Sequence, residues 1–286
     1  MGLHLPRDPR RRRAAPPFTM AAIRYFVAGL VLLPFVTGRG AHDAGAVGRR
    51  ARPSGRELAS CALAGVLMLA GGNGGVSWAE TRISSGLAAL LVATVPLFMI
   101  AGERLVSRAA PAPRTLAALV VGFAGVGVLA SPGGHHSSPA GIVTVLGASL
   151  SWAVGSLCIR RLPHPAHPLA TTTTYQMLAG AVALAGAAAA SGELAHLDLG
   201  AVSLRSWLAL AYLIGPGSIL ALTCYSDALR RLPTSVVGTY AYVNPIIAVF
   251  LGWLILSEQV RPATLLGGTL VVGAVALVIS ENRSRR

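Results

Sequence analysis

The sequence predicts an all-α membrane protein with nine transmembrane helices, formed by an inverted repeat of five-helix units whose first helix is missing. Three observations predict this fold: long apolar stretches, an internal repeat at a fixed offset, and arginines concentrated in alternate loops. Apolar residues make up 53% of the 286 residues and charged residues only 12%, whereas soluble proteins usually carry about 25% charged residues. Few charges spread over long apolar runs indicate that lipid is the main solvent of this chain.

Nine stretches of the chain are long and apolar enough to cross a bilayer, for which a helix needs about 17–25 residues. Each should be a helix, because lipid offers no partner to an unpaired backbone amide or carbonyl. The predicted spans are 18–36, 58–78, 83–101, 115–131, 141–159, 169–190, 207–225, 236–256 and 264–280.

Ten residues of the window 77–131 recur in the second half of the chain at one offset of 149 residues. The pairs that composition alone does not explain are Arg82 with Arg231, Pro96 with Pro245, and Pro113 with Pro262. Equivalent positions lie five spans apart, an odd number, so the two copies have opposite orientations in the membrane. The chain therefore divides into an arginine-rich head (1–17), a four-helix first repeat (18–131), a five-helix second repeat (141–280) and a basic tail (281–286).

The first helix of the first repeat has no counterpart in this sequence. Shifting the span 141–159 back by 149 residues places it before and across the arginine-rich head, where no apolar stretch exists. A real truncation and a misplaced start codon are both open explanations.

The loop arginines predict the orientation of the spans. Alternate loops carry 15 arginines in one set and 3 in the other, and the richer set should face the cytoplasm together with the C-terminus. The head 1–17 departs from this rule, because it carries five arginines and nine spans would place it outside.

Several classes of function are disfavoured by what the sequence lacks. The basic residues sit in short clusters between apolar runs, so no basic face for nucleic acid is expected. There is no His-Glu-x-x-His pattern for a metalloprotease and no Gly-x-x-x-x-Gly-Lys loop for ATP. Every histidine lies outside the apolar spans. We therefore predict no enzyme activity, no catalytic residues, no cofactor and no metal site.

A set of short stretches resembles one family of membrane proteins. The stretches are Pro16-Pro17-Phe18 with 22–26, Gly71-Gly72-Asn73-Gly74-Gly75 with Trp78-Ala79-Glu80, 85–90 with 95–98, Ser151-Trp152-Ala153-Val154-Gly155-Ser156, Tyr240-Ala241-Tyr242-Val243-Asn244-Pro245, and Ser257-Glu258. Taken together they resemble the drug/metabolite transporter superfamily, and within it the EamA-type exporters of the YedA-like branch. The resemblance implies an inner-membrane exporter with two inverted five-helix halves around a central cavity.

The leading hypothesis is a secondary transporter that exports small metabolites or drugs across the bacterial plasma membrane by alternating access between the two repeats. The alternative is a truncated, non-transporting remnant or an accessory subunit that needs another chain to complete its first half. The expected partners are a small-molecule substrate and the lipid bilayer, with a homodimer left open. The substrate and the coupling ion are open as well.

Five side chains are candidates for lining a substrate pathway: Asn73, Trp78, Trp152, Tyr240 and Asn244. Polar groups inside a membrane need partners, and a substrate cavity supplies some of them. The competing interpretations are close helix packing at Asn73, an interfacial position for Trp78, and hydrogen bonds between helices for Tyr240 and Asn244. Trp152 belongs to the stretches that carry the family resemblance.

Three further residues have candidate mechanical roles. Pro96 and Pro245 should kink their helices, since proline removes one backbone hydrogen bond, and the kinks are either hinges or static bends. Arg24 lies inside the first apolar span, where an unpaired charge is costly. It is expected to be an intramembrane polar anchor, with pathway lining and snorkelling to the interface as alternatives.

Overall fold

The computed structural model describes residues 16–37, 53–107, 113–129, 138–161, 169–196, 204–232, 237, 240, 254 and 262–284. Within these ranges the regular secondary structure is entirely helical. The α-helices are α1 (Pro17–Thr37), α2 (Gly55–Gly65), α3 (Gly75–Ala79), α4 (Ser85–Val92), α5 (Val95–Ser107), α6 (Pro113–Leu129), α7 (Pro139–Arg161), α8 (Leu169–Ala190), α9 (Leu204–Ile214), α10 (Ala221–Arg231) and α11 (Pro262–Ser284).

Five helical segments of the described residues are long and apolar enough to cross a membrane. They are Pro17–Pro34, Gly55–Ala79, Ser85–Val106, Pro139–Arg161 and Trp207–Arg231. Helix α8 coincides with the predicted span 169–190, and α6 and α11 overlap the predicted spans 115–131 and 264–280. The predicted span 236–256 falls outside the described residues except for Val237, Tyr240 and Leu254, so the total of nine spans stays a prediction.

The third predicted span, 83–101, consists of two helices rather than the single helix we expected. Helix α4 ends at Val92, a turn follows at Ala93 and Thr94, and α5 begins at Val95. Pro96 is therefore the second residue of a new helix, a position where its missing N–H removes no hydrogen bond. The buried Thr94 hydroxyl donates to the Leu91 carbonyl oxygen at 2.7 Å, which gives the turn an additional hydrogen bond.

Two other spans contain π-helices. The first π-helix, Val66–Gly74, joins α2 to α3, and the second, Gly215–Leu220, joins α9 to α10. The first includes three glycines, and the second has a proline at its second position, which cannot donate a regular helical hydrogen bond. Such π segments are rare and often occur at functional sites.

Two pairs of helices pack antiparallel along much of their lengths. In the first pair, Gly29 of α1 packs against Leu178 of α8, and the start of α1 meets Glu193 just beyond the end of α8. The Glu193 carboxylate accepts a hydrogen bond from the Thr19 amide at 2.9 Å and another from the Thr19 hydroxyl at 3.0 Å. A remote carboxylate thus caps the N-terminus of α1, where negative charge is favourable.

The second antiparallel pair is α6 with α11. Gly125 of α6 packs on the backbone oxygen of Gly267 near the start of α11, while Gly122, one turn earlier on α6, faces Ala274, two turns later on α11. Since the glycines leave no side chain between the helices, the two backbones approach closely, as is common inside membranes.

Cross-helix contacts define the two ends of the bundle. At one end, Arg161 donates to the Glu103 carbonyl and Arg160 to the Leu232 carbonyl, each at 3.4 Å. At the opposite end, Gly141 at the start of α7 packs against Ile83. We refer to the first as the arginine-rich end.

Glycines also allow the first π-helix and its flanking helices to pack tightly on α7 and α8. Gly65 of α2 lies directly on the backbone of Gln176, and Gly180 of α8 lies on Leu69. Gly155 of α7 faces Met68 in the same way. Van der Waals contact at such small residues is a principal attraction between helices in lipid.

We expect Gly65→Ala to lower the free energy of unfolding by about 1–3 kcal/mol, because the new methyl group would meet the Gln176 backbone. The matched control is Gly186→Ala, at a glycine of α8 with open space around it. That change should be neutral or stabilise by up to about 1 kcal/mol, since alanine favours helix. Thermal unfolding of both variants in detergent tests the packing, and equal midpoints would contradict it.

Candidate substrate pathway

An aromatic cluster forms where α5, α7, α10 and the predicted eighth span meet. Its members are Met99, Trp152, Ser156, Tyr225 and Tyr240. The Trp152 and Tyr225 rings lie 5.6 Å apart at 54°, and the Tyr225 and Tyr240 rings meet edge to face at 5.8 Å and 87°. Both separations fall in the range of favourable aromatic contacts.

The Tyr225 hydroxyl is the polar centre of this cluster. It accepts a hydrogen bond from Trp152 Nε1 at 3.0 Å and shares another with the Ser156 hydroxyl at 2.9 Å. The sulfur of Met99 lies 3.9 Å away. Side chains of α5 and α7 therefore meet at the phenol oxygen of Tyr225 on α10. The indole N–H of Trp152 and the hydroxyls of Ser156 and Tyr225 all have hydrogen-bond partners there, as polar groups inside a membrane require.

Helix α7 presents Trp152 and Ser156 together because they are four residues apart and share a face. The Ser156 hydroxyl also donates to the Trp152 carbonyl oxygen at 2.8 Å, which holds the two side chains in register. On the neighbouring side, Gly72 of the first π-helix packs against the Trp152 ring. The Ser151 hydroxyl donates to the Leu67 carbonyl oxygen at 2.8 Å and fixes α7 on that π-helix.

The cluster can bind a ligand by its aromatic faces and by hydrogen bonds. Tyrosine and tryptophan rings attract apolar, planar and cationic groups, and the phenol and hydroxyl oxygens can exchange a bond between side chains for one to a ligand. Among the residues whose side chains the structure describes, the carboxylates lie at or near helix ends, at Glu57, Glu80, Glu103, Glu193 and Asp227. In the same part of the chain, no group of three His, Cys, Asp or Glu side chains could hold a metal ion.

Asn73 lies in the first π-helix next to Gly72, the glycine that contacts Trp152. Its side chain is half-buried, and the structure gives it no hydrogen-bond partner among the described residues. A half-buried carboxamide without a protein partner can donate hydrogen bonds to a ligand and accept them from it. Asn73 therefore stays a candidate for the substrate pathway.

Trp78 has a different environment from Trp152. The guanidinium of Arg82 stacks on the Trp78 ring at 3.5 Å and donates to its backbone oxygen at 3.1 Å. Trp78 packs on a second apolar cluster, which includes Ile83 and Leu87. A cation already covers one face of this indole, so Trp78 is less available to a ligand than a free ring would be.

Arg24 joins α1 to the second π-helix. Its Nε donates to the Ser218 hydroxyl at 2.5 Å, and its Nη2 donates to the Gly217 carbonyl oxygen at 2.8 Å. The Ser218 hydroxyl donates in turn to the Leu213 carbonyl oxygen at 2.8 Å. The guanidinium also lies over the Tyr25 ring at 4.9 Å. These contacts suit a structural anchor, since they satisfy a charge within the first span.

The structure brings Trp152 and Tyr240 into one cluster, bridged by Tyr225. Asn73 is the sequence neighbour of Gly72, which contacts this cluster. Trp78 packs on the separate apolar cluster of Ile83 and Leu87. Pro96 lies at the start of α5, three residues before Met99. Asn244 and Pro245 lie outside the described residues.

Sequence reasoning missed Tyr225, Ser156 and Met99. Tyr225 sits at the end of the predicted span 207–225, and a tyrosine inside an apolar run was the one signal that could have drawn attention to it.

Comparison with known proteins points to one family. The EamA-like transporter family matches the chain twice, at residues 10–131 and 139–280. The uncharacterized inner membrane transporter YedA of Escherichia coli is 37% identical over 265 residues, which cover 92% of this chain and 81% of that protein. The probable terminal-alkyne amino-acid exporter of Streptantibioticus cattleyicolor is 27% identical over 282 residues, covering 96% and 91%.

The fold also resembles a solved one. One crystal structure superposes with a TM-score of 0.63 at 22% identity, covering 94% of this chain and 90% of that chain. At this level of identity the likeness concerns the fold alone.

We expect Tyr225→Phe to lower the free energy of unfolding by about 1–3 kcal/mol, because Trp152 Nε1 would lose its acceptor in a partly buried site. The matched control is Tyr212→Phe, whose side chain is 67% exposed on α9 and should change stability by less than about 0.5 kcal/mol. Thermal unfolding in detergent distinguishes the two. Equal losses would show that the Tyr225 hydroxyl holds no structural bond.

The Arg24 contacts are tested by a double-mutant cycle with Arg24→Met and Ser218→Ala. Because the two side chains share a hydrogen bond, the cycle should give a coupling energy of about 0.5–3 kcal/mol. The control cycle pairs Arg24→Met with Ser60→Ala, whose hydroxyl bonds only within its own helix. That second cycle should be additive, and additivity in both would refute the anchor.

Proposed function

The chain belongs to the EamA-like transporter family, and from this premise we propose that it exports small metabolites or drugs across the bacterial inner membrane. The names of the family and of its relatives point to a transporter rather than an enzyme. They do not favour the alternative of a non-transporting remnant or accessory subunit. The apolar helices and the inner-membrane relatives support a multi-pass protein of that membrane.

The proposed mechanism is alternating access between two inverted repeats. Helix boundaries support the repeat, because α2 begins at residue 55 and α9 at 204, an offset of 149. The same offset separates the starts of the two π-helices, 66 and 215, and the starts of α6 and α11, 113 and 262. The family also matches the chain twice, once in each half.

The helix pairing supports opposite orientations of the two repeats. Helices α1 and α8 are repeat mates and pack antiparallel on one another, and so are α6 and α11. A pseudo-two-fold axis in the membrane plane brings equivalent helices together in this way, because the rotation reverses their direction across the membrane. In the proposed orientation, the arginine-rich end and the C-terminus face the cytoplasm.

The aromatic cluster is the observation that carries the proposed pathway. The Tyr225 hydroxyl bridges Trp152 and Ser156, while Met99 comes from the first repeat and the other members from the second. A site between the repeats is where alternating access exposes a ligand first to one side and then to the other. One relative is named as a probable terminal-alkyne amino-acid exporter, so amino acids belong in the substrate panel beside cationic drugs.

A counterflow assay in proteoliposomes tests the proposal. Vesicles preloaded with an unlabelled amino acid should take up the labelled amino acid faster than protein-free vesicles do. Alternatively, vesicles loaded with ethidium should exchange the dye faster than protein-free vesicles do. Trp152→Ala should reduce the initial rate several-fold, because it removes the indole that contacts Tyr225. Trp207→Ala, at a partly exposed tryptophan of α9, should keep the wild-type rate.

Two results would contradict the proposed function. The first is an absence of flux above protein-free vesicles for every amino acid and for ethidium. The second is an equal loss of rate in Trp152→Ala and Trp207→Ala, which would separate the aromatic cluster from the transport path.

A further inference from the structure

Polar side chains at helical spacing occupy one face of α10 and one face of α8, two helices that contact each other. The face of α10 contains Thr223, Ser226 and Arg230, and the face of α8 contains Thr172 and Gln176. The two helices meet at the Arg230 guanidinium, whose Nη2 donates to the Thr172 hydroxyl at 2.6 Å. We call these five residues the polar strip.

The polar strip begins at the arginine-rich end and extends into the bundle. Helix α8 starts and α10 ends at that end, so Gln176 lies one turn deeper than Thr172, and Ser226 one turn deeper than Arg230. Arg230 and Thr223 are seven residues apart, which corresponds to about 10 Å along the helix. Gly65 of α2 packs on the Gln176 backbone, so a third helix lies against the strip at that depth.

The polar strip is unusual because most of its hydrogen-bonding groups have no partner. The atoms without a partner are both amide atoms of Gln176, the hydroxyls of Ser226 and Thr223, and Nε of Arg230. Gln176 is only 1% exposed and Ser226 is fully buried. Buried polar groups in proteins are normally hydrogen-bonded, because leaving them unpaired costs the full loss of hydration.

In the described part of the chain Arg230 forms no direct ion pair, and the nearby Asp227 carboxylate acts on it only at longer range. Asp227, on the same helix, pairs instead with the exposed Arg231 at 2.7 Å. A guanidinium with a free N–H lies at one end of this row, and the amide of Gln176 and the hydroxyl of Ser226 lie one turn deeper, with Thr223 beyond them. That set matches an anionic oxygen group, which a guanidinium binds with charge-assisted hydrogen bonds.

We propose that the polar strip binds the carboxylate group of a small solute, with Arg230 as its counter-ion. This inference deepens the proposed exporter function and rests on it. The Gln176 amide nitrogen and the Ser226 and Thr223 hydroxyls supply further donors, and the Gln176 amide oxygen can accept a bond from the solute. The location fits entry from the arginine-rich end, since Arg230 stands at the outer limit of the strip and the unpaired groups lie behind it.

A phosphate of an anionic lipid is the other source of negative oxygens. The depth of Gln176 and Ser226 favours a solute, because both side chains are buried between helices, whereas a headgroup would reach Arg230 from the perimeter. The two sources are separated by keeping the lipid neutral in the first experiment.

The experiment measures ligand affinity from thermal unfolding of the full chain in phosphatidylcholine nanodiscs. The probes are the twenty L-amino acids, lactate and succinate, and each binder is compared with its carboxamide. We expect at least one carboxylate to raise the unfolding midpoint and its carboxamide to have little effect, since the amide carries no charge for Arg230. Arg230→Gln should weaken binding by on the order of 30-fold or more.

Two further variants make the test specific. Arg231→Gln removes the same charge one residue away, from a side chain that is 75% exposed, and should leave affinity unchanged. Ser226→Ala removes an unpaired buried hydroxyl, so the empty protein should be as stable as wild type or more so, while affinity falls about tenfold. A purely structural serine would show the reverse, with lower stability and unchanged affinity.

Three results would overturn the inference. One is equal binding of a carboxylate and its carboxamide, and another is unchanged affinity in Arg230→Gln. The third is stabilisation through Arg230 by added phosphatidylglycerol while no carboxylate binds. Each leaves the exporter proposal intact if counterflow of ethidium persists, whereas the loss of all counterflow contradicts the proposed function itself.

Discussion

The need to satisfy backbone polar groups inside lipid is the constraint on which the rest of this structure depends. Regular helices meet it by themselves, but the described spans are interrupted by two π-helices and one turn. At each interruption a side chain donates to a backbone carbonyl: Ser151 to Leu67, Arg24 to Gly217, and Thr94 to Leu91. The irregular segments are thus tied to their surroundings by specific hydrogen bonds.

Those bonds also place the candidate pathway. Ser151 holds α7 against the first π-helix, which seats the next residue, Trp152, on Gly72 and beside Tyr225. Arg24 holds the second π-helix in the span that leads to Tyr225 and Arg230. A change at either π-helix would therefore shift the aromatic cluster or the polar strip. The two π-helices are thus linked structurally to both candidate ligand-binding regions.

The elements that sequence reasoning predicted well are those set by local composition. Helix α8 matches its predicted span 169–190 at both ends, and α1 and α7 extend theirs by two residues or fewer at each end. The span 83–101 was predicted as one helix kinked at Pro96, whereas the structure divides it into two helices at Ala93 and Thr94, just before that proline. Of the pathway candidates, Trp152 and Tyr240 lie in one cluster, but the residue that connects them, Tyr225, was not among those predicted.

By itself the sequence determined that the chain is a helical membrane protein, which stretches of the described region are long and apolar enough to cross a bilayer, and to which family it belongs. These properties depend on hydropathy over about twenty consecutive residues and on motifs read along the chain. Only the tertiary structure decided which polar groups meet. Trp152 and Tyr225 are 73 residues apart and Arg230 and Thr172 are 58 apart, and such contacts arise from the packing of whole helices. No local pattern encodes that packing, because glycine and hydroxyl positions become contacts only once the facing helix is known.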